Sequence, residues 1–355
     1  MAYTTIDDPS AHFQTMIYTG DGNDDRALTN DGNSNLKPDL VWIKERNSTS
    51  AHQLIDSTRG GGLALSSHDT GTDESFAYID TFDTDGFTLE TSDGSTNEDG
   101  NTFVAWQWKA NGGTTASNSN GSLASTVQAN TTSRFSIVTY TGTGSSTTVG
   151  HGLGVIPHLV IVKNRSASQH WRVFHKDAYT GGGYGQYQSG IKLNETSVAD
   201  HGANSYWDNN AFTTSTFSIG TNAEVNVSSE NFVAYCFAEI QGYSKFGTYE
   251  GNGNADGPFV YLGFKPAMLI YKRTDSTANW SIFDNKRSVY NQISHQLNPN
   301  ISNAEGDSNR GDFVSNGWKI RATAGSTNAS GGTYIYMAFA ESPFVTSSGV
   351  PATAR

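Results

Sequence analysis

Three short stretches share one pattern of apolar and polar positions: "DLVWIK" (39–44), "HLVIVK" (158–163) and "AMLIYK" (267–272). Each is an apolar run, rich in β-branched or aromatic residues, that ends on lysine. Each follows a proline: Pro38, Pro157 or Pro266. A run bounded in this way predicts a buried strand. Proline at its first position removes no needed ladder hydrogen bond. A second set, "FVAWQW" (103–108), "FVAYCF" (232–237) and "YIYMAF" (334–339), alternates with period two. It predicts strands with one face on a core, Val104, Trp106 and Trp108 lying opposite Phe103, Ala105 and Gln107. No window of 11 residues sustains a 3.6-residue period, so little helix is expected.

The prolines serve as a ruler. Lys44, Lys163 and Lys272 each lie six residues on, and Asp56, His175 and Asp284 eighteen residues on. Upstream, Tyr-x-Gly-x-Gly appears at 18–22, 140–144 and 249–253. Downstream, "DGFTLE", "STFSIG" and "NGWKIR" share an aromatic followed by an apolar residue two later. The same landmarks in one order, three times, predict a triplicated unit. Short strands and Gly/Asn/Asp turns over about 100 residues point to an all-β fold. The expectation is three tandem β-sandwich units, jelly-roll-like, with little helix.

The expected division is 1–110 for the first unit with an N-terminal docking segment, 134–243 for the second and 244–343 for the third. Residues 344–355 form a tail. The stretch 111–133 has no aromatic and almost no large apolar residue, and reads as a flexible linker. Trp42, Trp106, Trp108, Trp171, Phe232, Trp280 and Tyr334 are the expected core of the repeat.

Composition narrows the function classes. Charged residues make up only 16% of the chain, but 7 Trp, 16 Tyr and 18 Phe suffice for a core, so disorder is not expected. The net charge of −12, with no basic stripe, argues against nucleic-acid binding. Cys236 alone cannot form an internal disulfide framework. The N-terminus "MAYTTIDDPS" has no signal-peptide pattern, and no segment approaches a membrane span. The expectation is synthesis in a cytoplasm, without a signal peptide or membrane insertion.

Several groups invite a chemical reading. The Tyr-x-Gly-x-Gly frames lack the helix and third glycine of a dinucleotide site and predict turns with positive φ. The column Asp56, His175, Asp284 is the most enzyme-like set. Each unit offers one such group, whereas a glycosidase needs two carboxylates about one bond. With Arg59 and Arg287 three residues on, ion pairs at strand ends are expected instead. Asp21, Asp24 and Asp25 are weak calcium candidates without the EF-hand frame. No cofactor and no other metal site is expected. Tyr179, Tyr184 and Tyr187, in a glycine-rich segment, have the chemistry of an adaptable binding loop.

The opening "MAYTTIDDPSAHFQTMIYTGDG", with "LKPDLVWIKERN", "DSTRG" and "NTFVAWQWKA", resembles a family of bacteriophage virion proteins common in marine phages, including those of cyanobacteria. The likeness is strong over 1–110 and more divergent beyond. It implies a non-catalytic structural protein of the virion surface, on the tail or tail fibre. Its partners would be other virion proteins, itself as a homo-oligomer such as a trimer, and a host-surface carbohydrate. In that picture the first unit docks on the particle and the other two project outward. The alternatives are a capsid decoration protein and, more remotely, a glycan depolymerase.

Overall fold

A computed structural model describes residues 2–76, 78–90, 94–178, 185–200 and 204–352. The first segment forms β1 (Phe13–Thr19), β2 (Arg26–Thr29), β3 (Leu40–Glu45), β4 (Gln53–Asp56), β5 (Leu63–Leu65), β6 (Glu74–Ser75), β7 (Ile79–Asp83), β8 (Gly86–Leu89) and β9 (Thr102–Trp108). The second forms β10 (Ala116–Asn118), β11 (Ser125–Asn130), β12 (Phe135–Thr141), β13 (Thr147–Gly150), β14 (Leu159–Asn164), β15 (Arg172–His175), β16 (Ile191–Lys192), β17 (Thr216–Ile219) and β18 (Asn231–Phe237). The third forms β19 (Ser244–Glu250), β20 (Phe259–Tyr261), β21 (Phe264–Arg273), β22 (Ser281–Asp284), β23 (Gln292–Gln296), β24 (Gly306–Val314), β25 (Gly317–Ile320) and β26 (Thr333–Pro343). Helix is confined, among the described residues, to single turns of three or four residues. The fold is all-β, and every strand-to-strand ladder is antiparallel.

Each segment contributes one large and one small sheet. The large sheets contain the runs β1-β9-β3-β4, β12-β18-β14-β15 and β19-β26-β21-β22. The same strand order therefore occurs three times, with the closing strand between the first strand and the proline strand. The small sheets are β2-β8-β7, β13-β17 and β20-β25-β24-β23.

The closing strands show where the cores lie. In β9, Phe103 and Ala105 join a cluster with Leu28, Phe87 and Leu89 of the first small sheet. Val104, Trp106 and Trp108 point the other way, into a second cluster. That second cluster also takes Val233, Tyr235 and Phe237 of β18, and Ile335, Met337 and Phe339 of β26. Each large sheet thus buries one face on its own small sheet and the other on the other two large sheets. This corrects the expectation of one buried face, and it explains why the proline strands read as continuous apolar runs. All six residues of β3 are buried.

The same geometry relocates the predicted core residues. Trp42, Trp106, Trp108, Trp171 and Trp280 belong to the cluster shared by all three segments. Phe232 and Tyr334 lie in the separate clusters of the second and third segments. Contacts this apolar do not leave segments free to move independently.

Two further expectations change, and the N-terminal phrase finds its contacts. The segment 111–133 is not a bare linker: it carries β10 and β11, and β11 pairs with β12 from Thr126↔Thr139 to Asn130↔Phe135. Pro266 sits inside β21, at a register shift, where a bulge tolerates a residue without an N–H. The N-terminal phrase, read as a docking segment, packs on the end of the second segment and on the third. Thr4 Oγ1 donates to Gln241 O (2.8 Å), Tyr3 Oη to Gly263 O (2.8 Å), and Phe13 stacks on Phe339.

The Tyr-x-Gly-x-Gly frames are the predicted turns. Gly22, Gly144 and Gly253 have φ of 65°, 72° and 68°. One buried asparagine clamps each turn, Asn97, Asn226 or Asn328. Its Oδ1 accepts from the backbone N of Asp21, Thr143 or Asn252, and its Nδ2 donates to the carbonyl of Asn23, Ser145 or Asn254.

Candidate functional site

The column Asp56, His175, Asp284 ends β4, β15 and β22. All three side chains are buried, and each reaches the closing strand of another segment. Tyr235 Oη donates to Asp56 Oδ2 (2.8 Å), and Trp106 Nε1 donates to Asp284 Oδ2 (3.0 Å). His175 Nε2 bonds the Tyr336 carbonyl (3.1 Å). The contacts run from first to second, second to third and third to first segment, closing a ring. A column with the look of a catalytic set is a set of junctions.

The expected strand-end ion pairs are present and extend further than the sequence suggested. Arg59 Nε meets Asp56 Oδ2 at 2.5 Å, and Arg287 Nε meets Asp284 Oδ2 at 2.6 Å. Arg59 also holds Asp73 (2.8 Å), which binds Arg165 of the second segment (2.7 Å). In parallel, Arg287 holds Glu305 (2.9 Å), which binds Arg46 of the first segment through two bonds of 3.0 and 2.9 Å. Burial acts to lower the Arg59 pKa, but Asp56, Tyr235 and Asp73 outweigh it and raise it. Burial acts to raise Glu305, but Arg46 and Arg287 outweigh it and hold the carboxyl below the usual range.

A second ring runs the other way. Trp171 Nε1 donates to Ser66 O (2.8 Å) and Trp280 Nε1 to Lys192 O (2.9 Å). His52, at the same distance from its proline, completes the set. Its Nδ1 accepts from Trp42 Nε1 (3.0 Å), so Nε2 carries the proton toward Asn298 O (3.1 Å). Burial lowers its pKa well below the ordinary value.

The three repeated lysines are buried beside these rings. Lys163 Nζ meets the carbonyls of Thr70 (3.1 Å), Asn164 (3.0 Å) and Gln169 (2.9 Å), three acceptors for three ammonium protons. Lys272 reaches Thr196 O and Arg273 O, and Lys44 the carbonyls of Glu45 and Ser48. Burial pushes each of the three down to about 8.

The first and third segments meet at a groove of about 330 Å³. Its lining includes Phe13, Gln14 and Thr15 from β1, and Lys286, Val289 and Glu341 from the third segment. Lys286 forms an ion pair with Asp31 across it (2.7 Å), and Tyr290, next to Val289, is 79% exposed. At the first-to-second junction, β11 occupies the corresponding side of β12. There Gln128 Nε2 donates to Ser57 Oγ and Thr58 Oγ1.

The family model described as "Domain of unknown function (DUF7483)" matches residues 8–343. The chain belongs to the DUF7483 family. The match spans all three segments, so the whole ring corresponds to one family domain. No curated protein matches the chain.

The remaining candidates fare differently in this DUF7483 chain. Tyr187 stacks on Phe174 (5.4 Å, 7°) and packs against the second segment's cluster, so one ring face is taken. Tyr179 and Tyr184 lie outside the described residues. Asp21 accepts from the Asn23 N–H and Asn97 Nδ2 and pairs with Arg26 (3.3 Å). Asp24 and Asp25 join no metal-binding group: among the described residues no three His, Cys, Asp or Glu converge as one would. Sequence reasoning missed the His52/Trp171/Trp280 ring, although all three lie fourteen residues after their prolines. It also missed Asp73 and Glu305, which lie in stretches of little mutual similarity.

Proposed function

We propose that the chain is a non-catalytic structural and attachment component of a bacteriophage virion, on the tail or tail fibre, in contact with other virion proteins. The observation that carries the non-catalytic part is the burial of Asp56 and Asp284. Their oxygens are engaged by arginine, tyrosine and tryptophan, which leaves no path to a substrate. The virion part rests on the resemblance of residues 1–110 to phage structural proteins. Self-association as a homotrimer would use outer surfaces, because the inner faces of the three large sheets are already occupied. A host-surface carbohydrate is a further partner, for which the groove beside Tyr290 offers an aromatic and several polar groups.

Capsid decoration is the second reading. The closed ring favours it over an extended appendage, since three similar segments in cyclic contact suit a symmetric lattice position. Assigning this chain in a cryo-electron microscopy map of the intact particle tests both. Density on the tail supports the first reading and density on the head lattice the second. Absence from purified particles overturns both.

A further inference from the structure

The six outermost strands of the three large sheets are not alike. β6 and β16 have two residues each, β10 has three, and β22 is bridged onward through Ile282↔Leu297. β19 carries Lys245 and Glu250 and is bridged at Ser244 by Ile240. β1 has seven residues, "FQTMIYT", with no charge and no proline. Folded proteins blunt such edges, because a long uncharged edge invites another strand.

The direction of the open groups follows from the ladder. Asp39 N donates to Trp108 O, so Trp108 turns its backbone toward β3. Its partner across the ladder is Phe13, which must turn its own backbone away from β9. By alternation, Phe13, Thr15 and Ile17 present N–H and C=O outward. Among the described residues no hydrogen bond engages these groups.

The second segment shows the same edge filled. His158 N donates to Phe237 O, as Asp39 does to Trp108. Phe135, Ile137 and Thr139 are therefore the outward residues of β12, and they face Asn130, Gln128 and Thr126 of β11. β11 is an uncharged extended segment, "STVQAN". Beside this unpaired edge lies the groove, and Thr15 lines it; Phe13 is only 2% exposed, so an added strand must widen the groove at that end. Thr15 is 4% exposed, yet its Oγ1 has no hydrogen-bond partner among the described residues. A buried hydroxyl in that state lacks something to bond. Ile17, further along the same edge, is 43% exposed.

We propose that the outer edge of β1 is a strand-addition site. It takes an uncharged extended segment of a partner polypeptide, antiparallel, in the register that β11 holds against β12. Backbone groups of Phe13, Thr15 and Ile17 would bind it, and Thr15 Oγ1 would gain a partner. A second copy of this chain is the poorer occupant, because its β11 is already paired on both sides by β10 and β12. The inference rests on the attachment reading only for the partner's place in a particle. Its test on the isolated full chain is independent of localisation, so either can fail alone.

The probe is a synthetic peptide of residues 122–132, added in excess to the full-length protein. Amide hydrogen exchange is followed by nuclear magnetic resonance. The expected result is that exchange at Phe13, Thr15 and Ile17 slows about tenfold. Thr15→Pro removes an outward N–H without cutting a bond to β9 and should abolish the effect. Ile17→Lys puts a charge on an exposed position of the edge. It should weaken the effect without disturbing the core, and decides the matter if Thr15→Pro fails to fold. No slowing at these amides overturns the proposal. So does slowing confined to Phe135, Ile137 and Thr139, which would mean exchange with β11. Slowing that grows with protein concentration without peptide would assign the edge to a second copy and overturn it equally.

Discussion

The first-to-second junction and the second-to-third junction occupy equivalent places and use opposite chemistry. At the first, Asp56 is a buried anion, held by Arg59 three residues on and by the Tyr235 hydroxyl. At the second, His175 is a buried neutral ring, Ala178 stands where the arginine would be, and the opposing position is Met337. Trp106, Tyr235 and Met337 occupy the same position of their closing strands. Where that residue carries a donor, the junction has aspartate with an arginine. Where it carries none, the junction has histidine and turns to a backbone carbonyl instead. The histidine in an otherwise acidic column is explained by its neighbour, with no appeal to catalysis. Buried charge is tolerated only with its partners present.

The strongest way to break this comparison is Asp284→Ala, which leaves the buried Trp106 N–H without an acceptor and the Arg287 guanidinium with only Glu305 and the Ile282 carbonyl. Denaturant unfolding should show a loss of about 3–5 kcal/mol. His175→Asp places a carboxylate opposite Met337 with no arginine, and should lose at least about 3 kcal/mol. Adding Ala178→Arg and Met337→Tyr rebuilds the acidic junction and should restore much of that loss. If His175→Asp is harmless alone, the complementarity described above is wrong. Tyr235→Phe removes one donor from Asp56 while Arg59 remains, and a smaller loss of about 1–2 kcal/mol is expected by the same measurement.

Acid separates the junctions further. Burial pushes His175 down to about 4, below its ordinary value near 6.5. The unfolded chain therefore binds more protons between those values. The stability contributed by the neutral ring is complete above pH 6.5 and falls as pH drops toward 4. His175→Gln, which keeps an N–H donor without the titration, should flatten the thermal-melting profile across that window. The smallest change should come from Lys286→Ala at the solvent-facing pair with Asp31, below about 1 kcal/mol. A large loss there would mean that the groove, and not the buried ring, holds the first and third segments together.

The strands were legible because their apolar runs and alternation are local. The repeated landmarks were legible because insertions fall between them. What each strand packs against was not legible. Val104 and Phe103 look alike in sequence, yet one faces the shared cluster and the other its own segment's cluster. β11 was hidden for another reason: a strand that lies along an edge is held mainly by backbone bonds, so it needs little hydrophobic period. Val127, 6% exposed, is its main apolar anchor. The column Asp56, His175, Asp284 was visible, but its partners lie 179, 161 and 178 residues away, beyond any local pattern.

The shared cluster also bears on synthesis. A ribosome delivers β1 first and β26 last, and the inner face of the first large sheet has no complete cover until β26 arrives. Until then Trp106 and Trp108 would face solvent or a chaperone. Loops that close over some 330 residues, as Phe13 against Phe339 requires, form slowly. Maturation of this protein should therefore be a late, all-or-none event, with partial chains sticky until the last strand closes the shared cluster.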